Sequence, residues 1–172
     1  MSSESETGKI RRQTAAGRSK PARKGNTAAA GQSDWLQVVR FTLAGREFGV
    51  DVRYVREIRR AAEVTVTGDG SSTDNGVLNV RGQAVAVMDL RRRWGLPPAE
   101  SDIKARVIVI EHEHKTYGLL VDAVTEVLRL GQLSLEPKPI PDIPLGADVM
   151  CGFYSMDDQN VIILDVAGLV KR

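Results

Sequence analysis

The sequence predicts a mainly β fold, built from two similar subdomains that each form a small five-stranded β-barrel with short helices. Short segments alternate apolar and polar residues, which is typical of half-buried strands, and turn-forming residues separate them. The segments recur in the same order in the second half of the chain, which indicates an internal duplication. Five short strands joined by tight turns close most economically into a barrel, since closure removes exposed edges. The length of 172 residues allows one domain or two small ones.

Charge is distributed unevenly along the chain. The 24 Lys+Arg and 22 Asp+Glu residues give a formal net charge of +2, yet residues 1–34 carry a net +4 and residues 35–172 a net −2. A slightly acidic folded region argues against a nucleic-acid-binding domain, whose interaction face is normally basic. Beyond its alanines the first segment has one aliphatic residue, Ile10, so we expect a disordered basic tail over 1–34. A basic arm that touches RNA, DNA or acidic lipid is the alternative interpretation.

Cysteine content and hydropathy favour a cytoplasmic protein. The single cysteine, Cys151, excludes an internal disulfide framework. No apolar run approaches the ~20 residues of a membrane span. The polar N-terminus does not look like a secretory signal.

In the first half, alternation and turn residues predict two hairpins separated by a loop. The predicted strands lie at 36–43, 46–50, 64–66, 77–80 and 84–88. Val52, Val55 and Ile58 recur at a spacing of three, which predicts a helical turn over 52–56. The composition of 68–76 indicates a mobile loop.

The second half repeats this plan around a Pro-rich loop at 136–144. Its predicted strands lie at 107–110, 116–121, 124–130, 150–156 and 161–164. A short helix ends each half. Asp89 is a good N-cap for a helix over 90–94, with Gly95 after its last residue, and Asp165 is a good N-cap for a helix that reaches Val170.

The repeat is visible when the chain is compared with itself. At an offset of 69 residues Gly49 aligns with Gly118 and Glu57 with Glu126, and at an offset of 76 Gly76 aligns with Gly152 and Asp89 with Asp165. The offset changes within the Pro-rich loop, where a duplicated unit tolerates insertion best. We therefore expect subdomains at about 35–100 and 101–172, with exchange of strands between them possible.

No constellation of residues predicts catalysis. The chain lacks the glycine-rich phosphate-binding motifs. His112 and His114 share a strand face but lie in a polar turn, so a solvated turn is favoured over a metal site. Cys151 lies in an apolar strand, so burial in the core is favoured over a nucleophile. We expect no catalytic residue, cofactor or metal; an enzyme would need a metal at the histidines or a reactive Cys151.

The remaining candidates lie on predicted surface. Arg81 follows Asn79 in a hairpin turn, so it is either a plain turn residue or an exposed arginine offered to a partner. Residues 91–93, all arginine, are expected to form the solvated face of a short helix, and Trp94 is expected to lie in the core.

Four segments together resemble the signature of CheW-like domains. The longest is Gly76-Val-Leu-Asn-Val-Arg-Gly followed by Gln83-Ala-Val-Ala-Val-Met-Asp-Leu-Arg and Gly95-Leu. Phe48-Gly-Val-Asp-Val with Val55-Arg-Glu-Ile, Tyr117-Gly-Leu-Leu-Val-Asp-Ala-Val, and Val161-Ile-Ile-Leu-Asp match further parts of the family pattern. The likeness covers about residues 35–172 in family order, and the four segments taken together are highly specific.

The resemblance implies two SH3-like β-barrels and an adaptor without catalysis. Such proteins couple chemoreceptors (methyl-accepting chemotaxis proteins) to the histidine kinase CheA: they dock on its regulatory domain and take the receptor's cytoplasmic signalling tip in a groove between the barrels. By motif match the receptor-binding residues would be Val55, Glu57, Gly76, Arg81, Gly118, Val124 and Val127. Glu57 would pair with Arg81. Contact with the membrane would be indirect, through receptors in cytoplasmic arrays, and no nucleic acid is expected.

Two segments depart from the family pattern. GDGSSTDN replaces Pro-bearing sequence before Gly76, and CGFYSMDD replaces an aliphatic hairpin. Both leave open a CheW-like paralogue in a non-flagellar chemosensory pathway, such as one that serves twitching motility. A nucleic-acid-associated small-barrel protein that uses the basic tail is the alternative from another class, and its affinity would fall steeply with salt.

Overall fold

The computed structural model describes residues 35–67, 74–100, 102–131, 143–146, 148–156 and 158–171. The predicted tail over 1–34 lies outside these residues. The loop predicted over 68–76 and the Pro-rich loop also lie largely outside them.

The first half contains five strands, two 3-10 turns and one short helix. The strands are β1 (Trp35–Leu43), β2 (Arg46–Asp51), β3 (Val55–Arg60), β4 (Asp74–Val80) and β5 (Gln83–Asp89). The 3-10 turns span Val52–Tyr54 and Ala61–Glu63, and helix α1 spans Leu90–Arg93.

The second half contains five more strands and a closing helix. The strands are β6 (Arg106–His112), β7 (Lys115–Val121), β8 (Ala123–Gly131), β9 (Met150–Met156) and β10 (Gln159–Leu164). Helix α2 spans Val166–Val170. The mainly β fold with two five-stranded sheets and short helices is confirmed.

The ten strands form two sheets of five, and each sheet draws strands from both halves of the chain. Sheet 1 has the order β8-β1-β2-β10-β9, and sheet 2 has the order β3-β6-β7-β5-β4. The sheets therefore do not coincide with the segments 35–100 and 101–172. Neither sheet closes on itself among the described strands. The hydrogen-bonded ring of a complete barrel, which the sequence predicted, is therefore not present in them.

The exchange of strands follows the internal repeat. Under the two offsets β1 to β5 correspond to β6 to β10, and the two sheets then have the same order, with the first hairpin of each repeat inserted among the last three strands of the other. The registers agree residue by residue: Val39 pairs with Val127 and Ile108 with Ile58. The duplication inferred from sequence thus extends to the pairing of the backbone.

The predicted helical turn over 52–56 is confirmed as a 3-10 turn over Val52–Tyr54, but it ends earlier than predicted, since the chain extends as β3 from Val55. The spacing of apolar residues misled because β3 pairs with β6, whose Ile108 and Ile110 are fully buried, and tertiary pairing overrides a weak local pattern. The predicted strand over 64–66 is a single bridge between Thr65 and Val77.

Apolar side chains fill three clusters. The central cluster combines residues of both sheets, including Phe41 and Phe48 from sheet 1 and Ile110 and Leu119 from sheet 2. Trp94 is 3% exposed and stacks on Phe48 with the ring centroids 5.5 Å apart, which confirms its predicted place in the core.

Each sheet also buries apolar residues on the face away from the central cluster, as expected of a strongly curled sheet. The far-face cluster of sheet 1 contains Val38, Leu130, Val161 and Ile163. The far-face cluster of sheet 2 contains Leu78, Val87, Val107 and Val109.

Both predicted helix caps are confirmed. The Asp89 carboxylate accepts hydrogen bonds from the backbone N–H groups of Arg91 and Arg92, and the Asp165 carboxylate accepts them from Ala167 and Gly168. These carboxylates satisfy N–H groups that a helix leaves without intrahelical partners. Their recurrence in the two halves therefore has a structural cause.

Arg91 lies in an ion pair that links α1 to the start of β8, not on the solvated face predicted for it. Its Nε and Nη2 atoms lie 2.8 and 2.5 Å from the two carboxylate oxygens of Asp122, and its side chain is 16% exposed. The backbone N–H of Ala44 also donates to Asp122, at 2.8 Å. Asp122 therefore links the β1–β2 turn of sheet 1 to α1, the helix that follows β5 of sheet 2.

Replacing Asp122 with asparagine should lower the free energy of unfolding by about 2 kcal/mol, because it removes a bidentate charged partner from a mostly buried arginine. Chemical denaturation of the parent and the variant, fitted with one common m-value, would measure the loss. Asp158→Asn, which makes the same change on an exposed residue, should stay within ~0.5 kcal/mol of the parent protein. Equal stability of the two variants would contradict the linking role of Asp122.

Candidate functional site

The seven residues predicted to bind a receptor fall on both sheets. Val55 and Glu57 lie on β3, Gly76 on β4, Arg81 in the β4–β5 turn and Gly118 on β7, all in sheet 2. Val124 and Val127 lie on β8, in sheet 1. β3 and β8 are edge strands of their sheets and correspond to each other in the repeat.

On sheet 2, a network of charged side chains surrounds Glu57. Arg81 Nη2 lies 3.5 Å from Glu57 Oε2, so the structure contains the expected pair, and Arg59 Nη1 lies 3.1 Å from Glu57 Oε1. The Arg81 side chain is 86% exposed, whereas that of Glu57 is 21% exposed. Arg81 is therefore held near its partner with most of its guanidinium facing solvent.

The geometry of the β4–β5 turn explains the exposure of Arg81. Arg81 and Gly82 both have positive φ, at 52° and 84°, as in the tight turns that suit the twist of a hairpin. Asn79 Oδ1 accepts a hydrogen bond from the Gly82 backbone N–H at 2.9 Å. This local bond fixes the turn, so the arginine is carried outward without support from the core.

Further arginines on β3 pair with carboxylates that the sequence analysis did not single out. Arg59 donates to Glu63, and its hydrogen bond lowers the pKa of that carboxyl below the ordinary value. Arg56 donates to Glu111 at 2.8 Å and lowers the pKa of that carboxyl in the same way. The edge at β3 therefore presents an array of paired charges of both signs.

On sheet 1, β8 presents a more apolar surface. Val124 is half-buried against the central cluster, and Val127 is 58% exposed. Its repeat counterpart Ile58 is 41% exposed on β3, so each edge strand shows one large aliphatic side chain to solvent. Ile58 was not among the predicted contacts, although its alignment with Val127 was the signal that could have identified it.

Gly76 and Gly118 are buried, and their roles are in packing. A Cβ at Gly76 would lie 2.3 Å from the backbone oxygen of Thr65, so only glycine lets these segments approach. A Cβ at Gly118 would lie 2.8 Å from Val107 Cγ1 and 3.0 Å from Val87 Cγ2. Both glycines shape the sheet that carries β3 and Arg81 rather than presenting a surface of their own.

The candidate residues do not line a cavity of about 680 Å³ in the described part of the chain. Its walls come from α1, the segment after it and β7, and include Arg91, Leu96, Ile103 and Asp122. None of the seven candidate residues contributes to it. The candidate site is therefore a feature of exposed strand edges.

The two histidines that an enzyme would need as metal ligands lie in an aromatic contact and in a turn. The His112 ring lies 5.8 Å from the Tyr54 ring, and His114 is in the β6–β7 turn with φ 61°, as the turn prediction required. Within the described ranges, no group of three or more His, Cys, Asp and Glu side chains is placed to hold a metal ion. No helix in this part of the chain is long and apolar enough to cross a membrane.

The prediction that Cys151 lies in the core was wrong. Cys151 is exposed, because the register between β9 and β10 shifts there and leaves it as the extra residue of a β-bulge. Partial burial raises the pKa of its thiol, and the carboxylates of Asp165 and Asp51 raise it further. The thiol is therefore held in its protonated, weakly nucleophilic form at neutral pH.

Comparison with known proteins agrees with the resemblance seen in the sequence. A family model described as CheW-like domain matches residues 37–172. A chemotaxis protein CheW from Klebsiella aerogenes is 29% identical over 142 residues, which cover 83% of this chain and 86% of that protein. A probable chemotaxis protein CheW from Rhizobium etli is 29% identical over 136 residues, which cover 79% of this chain and 88% of that protein. The crystal structure of scaffolding protein TtCheW from Thermoanaerobacter tengcongensis matches with a TM-score of 0.72 at 27% identity, over 86% of this chain and 95% of that one.

Gly118→Ala should destabilise the protein by about 1–3 kcal/mol, because the new methyl meets the stiff side chains of two valines at 3.0 Å or less. Its repeat counterpart provides the control. At Gly49 the new methyl would meet the flexible end of Ile163 at 3.0 Å and Val38 at 3.2 Å, so Gly49→Ala should cost less. Thermal unfolding of the two variants measures both losses, and a greater loss at Gly49 would contradict the packing role given to Gly118.

Proposed function

The chain belongs to the CheW-like family of chemotaxis proteins, and from that premise we propose that it is a non-catalytic adaptor that couples a chemoreceptor to the histidine kinase CheA. The observation that carries the proposal is the pair of edge strands. β3 and β8 each expose an aliphatic side chain, and Glu57 on β3 pairs with the exposed Arg81 of the β4–β5 turn.

The receptor would bind through its cytoplasmic signalling tip, a helical hairpin. A helix recognised by side chains offers an apolar stripe flanked by charges. Val127 on β8 and Ile58 on β3 supply apolar contacts. The half-buried Val124 and Val55 lie in the same two strands and pack against the central cluster. Arg81 supplies a charge that fixes register, since charged groups around an apolar contact contribute specificity more than affinity. Gly76 and Gly118 support this surface from within sheet 2.

The kinase would be bound through its regulatory domain, which is itself CheW-like. The adaptor would then sit in the cytoplasm at receptor arrays and contact the membrane only through the receptors. A CheW-like paralogue in a non-flagellar pathway would use the same surfaces with another receptor and kinase.

Calorimetric titration of the full chain into the regulatory domain of CheA from the same organism tests the proposal. We expect one-to-one binding with a Kd in the micromolar range or tighter, which corresponds to about −8 kcal/mol. Moderate salt should change the affinity little, whereas a nucleic-acid-binding protein would show a steep salt dependence with DNA or RNA. Absence of binding to the kinase domain and to the receptor tip would overturn the adaptor function.

Arg81→Glu should weaken binding to the receptor signalling tip about tenfold without unfolding the protein, because the side chain is almost fully exposed and its charge is reversed at the contact. Fluorescence anisotropy with a labelled receptor hairpin measures the affinity, and circular dichroism measures the fold. Lys104→Glu makes the same charge change on an exposed residue that is not among the candidate residues and should bind as the parent does. Equal affinities of the two variants would remove Arg81 from the receptor contact.

A further inference from the structure

A buried arginine joins three strands of sheet 1. Arg40, on β1, is 8% exposed and donates from Nε to Glu47 on β2 at 2.8 Å, and from Nη1 to Glu126 on β8 at 2.9 Å. Its Nη2 donates to Gln159 on β10 at 2.6 Å. The guanidinium thus contacts every strand of sheet 1 except β9, and it does so on the far face, since its neighbours Val39 and Phe41 point into the central cluster.

The internal repeat shows that the fold does not need an arginine at this position. At the same offset Arg40 corresponds to Val109, which lies in the far-face cluster of sheet 2 and is fully buried. Burial of a charged group costs free energy that a valine does not incur, and the ion pairs only offset that cost. The arginine therefore calls for an explanation beyond packing, and the explanation has to lie in what it contacts.

Arg40 contacts β8, the edge strand that carries the proposed receptor-binding residues Val124 and Val127. Among the described strands β8 pairs only with β1, and their register shifts once: Arg40 is opposite Glu126, and Phe41 is opposite Val124. Thr125 is therefore the extra residue of a β-bulge, a feature that turns side chains and bends a strand. The Arg40–Glu126 bond closes directly beside this bulge, with Val124 on one side of it and Val127 on the other.

The geometry points to Arg40 as a positioning residue that holds Glu126 and the β8 bulge in the register that presents Val124 and Val127 to the receptor. This inference rests on the proposed function. A guanidinium suits the task because it has five N–H donors in a rigid plane, so three acceptors on three strands can be fixed at once. A lysine ammonium keeps the charge but cannot reproduce that fork. The hydrogen bond that Arg40 donates to the Glu47 carboxylate raises the pKa of Arg40, so the guanidinium that joins these strands stays charged.

The decisive variant is Arg40→Lys, and Arg40→Val copies the residue that the other repeat uses. Two controls are matched to it. Arg53→Lys makes the same change on an arginine that is 67% exposed and pairs with Asp51. Val85→Ala removes buried volume from β5 in sheet 2 and lowers stability without contact with β8.

Two readouts are measured on the full chain. Anisotropy with the receptor hairpin should show about tenfold weaker binding for Arg40→Lys, the loss expected when a charged hydrogen bond no longer restrains the bound conformation. Amide hydrogen exchange should become faster at residues 125–127 and stay unchanged in β6 and β7. Both controls should bind the hairpin as the parent does.

Three outcomes would overturn the inference. One is parent-like affinity in Arg40→Lys; another is exchange at 125–127 that rises no more than in the rest of the protein. The third is weaker binding by Val85→Ala in step with Arg40→Lys, which would make the arginine a general stabiliser. Failure of the parent protein to bind any receptor hairpin would instead refute the proposed function, and the exchange data would still decide whether Arg40 orders β8. Where Arg40→Val fails to fold, Arg40→Lys and Glu126→Gln carry the test.

Discussion

β2 pairs in parallel with β10 over residues 47–50 and 161–164, and β5 pairs in parallel with β7 over residues 87–89 and 118–120. These two short ladders are equivalent in the repeat, and each joins a hairpin of one half to a hairpin of the other. The fold depends on them, because each five-stranded sheet is complete only when both halves contribute to it. Gly49 and Gly118 stand at the two ladders, where the absence of a Cβ lets the far-face side chains close over the strand.

The two repeats share one backbone plan, so the positions where their side chains differ are informative. The two edge strands arise from the same repeat position, yet Glu57 on β3 pairs with Arg59 and the exposed Arg81, whereas Glu126 on β8 pairs with the buried Arg40. The two edges therefore differ in charge on one backbone plan. A partner that contacts both can bind in one orientation only, since turning it around would exchange an exposed arginine for a half-exposed carboxylate.

Local patterns in the sequence predicted the elements that have local causes. Alternation located nine of the ten strands, and Asp89 and Asp165 marked both helices because N-capping acts over three residues. Non-local contacts produced the failures. β3 is extended because β6 lies beside it, and Arg91 is mostly buried because it pairs with Asp122, 31 positions along the chain. The exchange of strands between the halves depends on which hairpin pairs with which. The repeat supplied the missing information for Ile58, which its counterpart Val127 would have identified.

An exposed edge strand is a hazard, since its free backbone groups can pair with another chain. Both candidate edges carry the features that guard against this: each has a β-bulge, and β3 also has a row of charged side chains. These features argue that the partner contacts side chains instead of adding a strand. A helical hairpin satisfies its own backbone hydrogen bonds and so makes no demand on the edge, whereas an extended peptide would need a flat, regular ladder. The same bulges that prevent indiscriminate pairing thus select for a helical partner, which is the form of the proposed receptor tip.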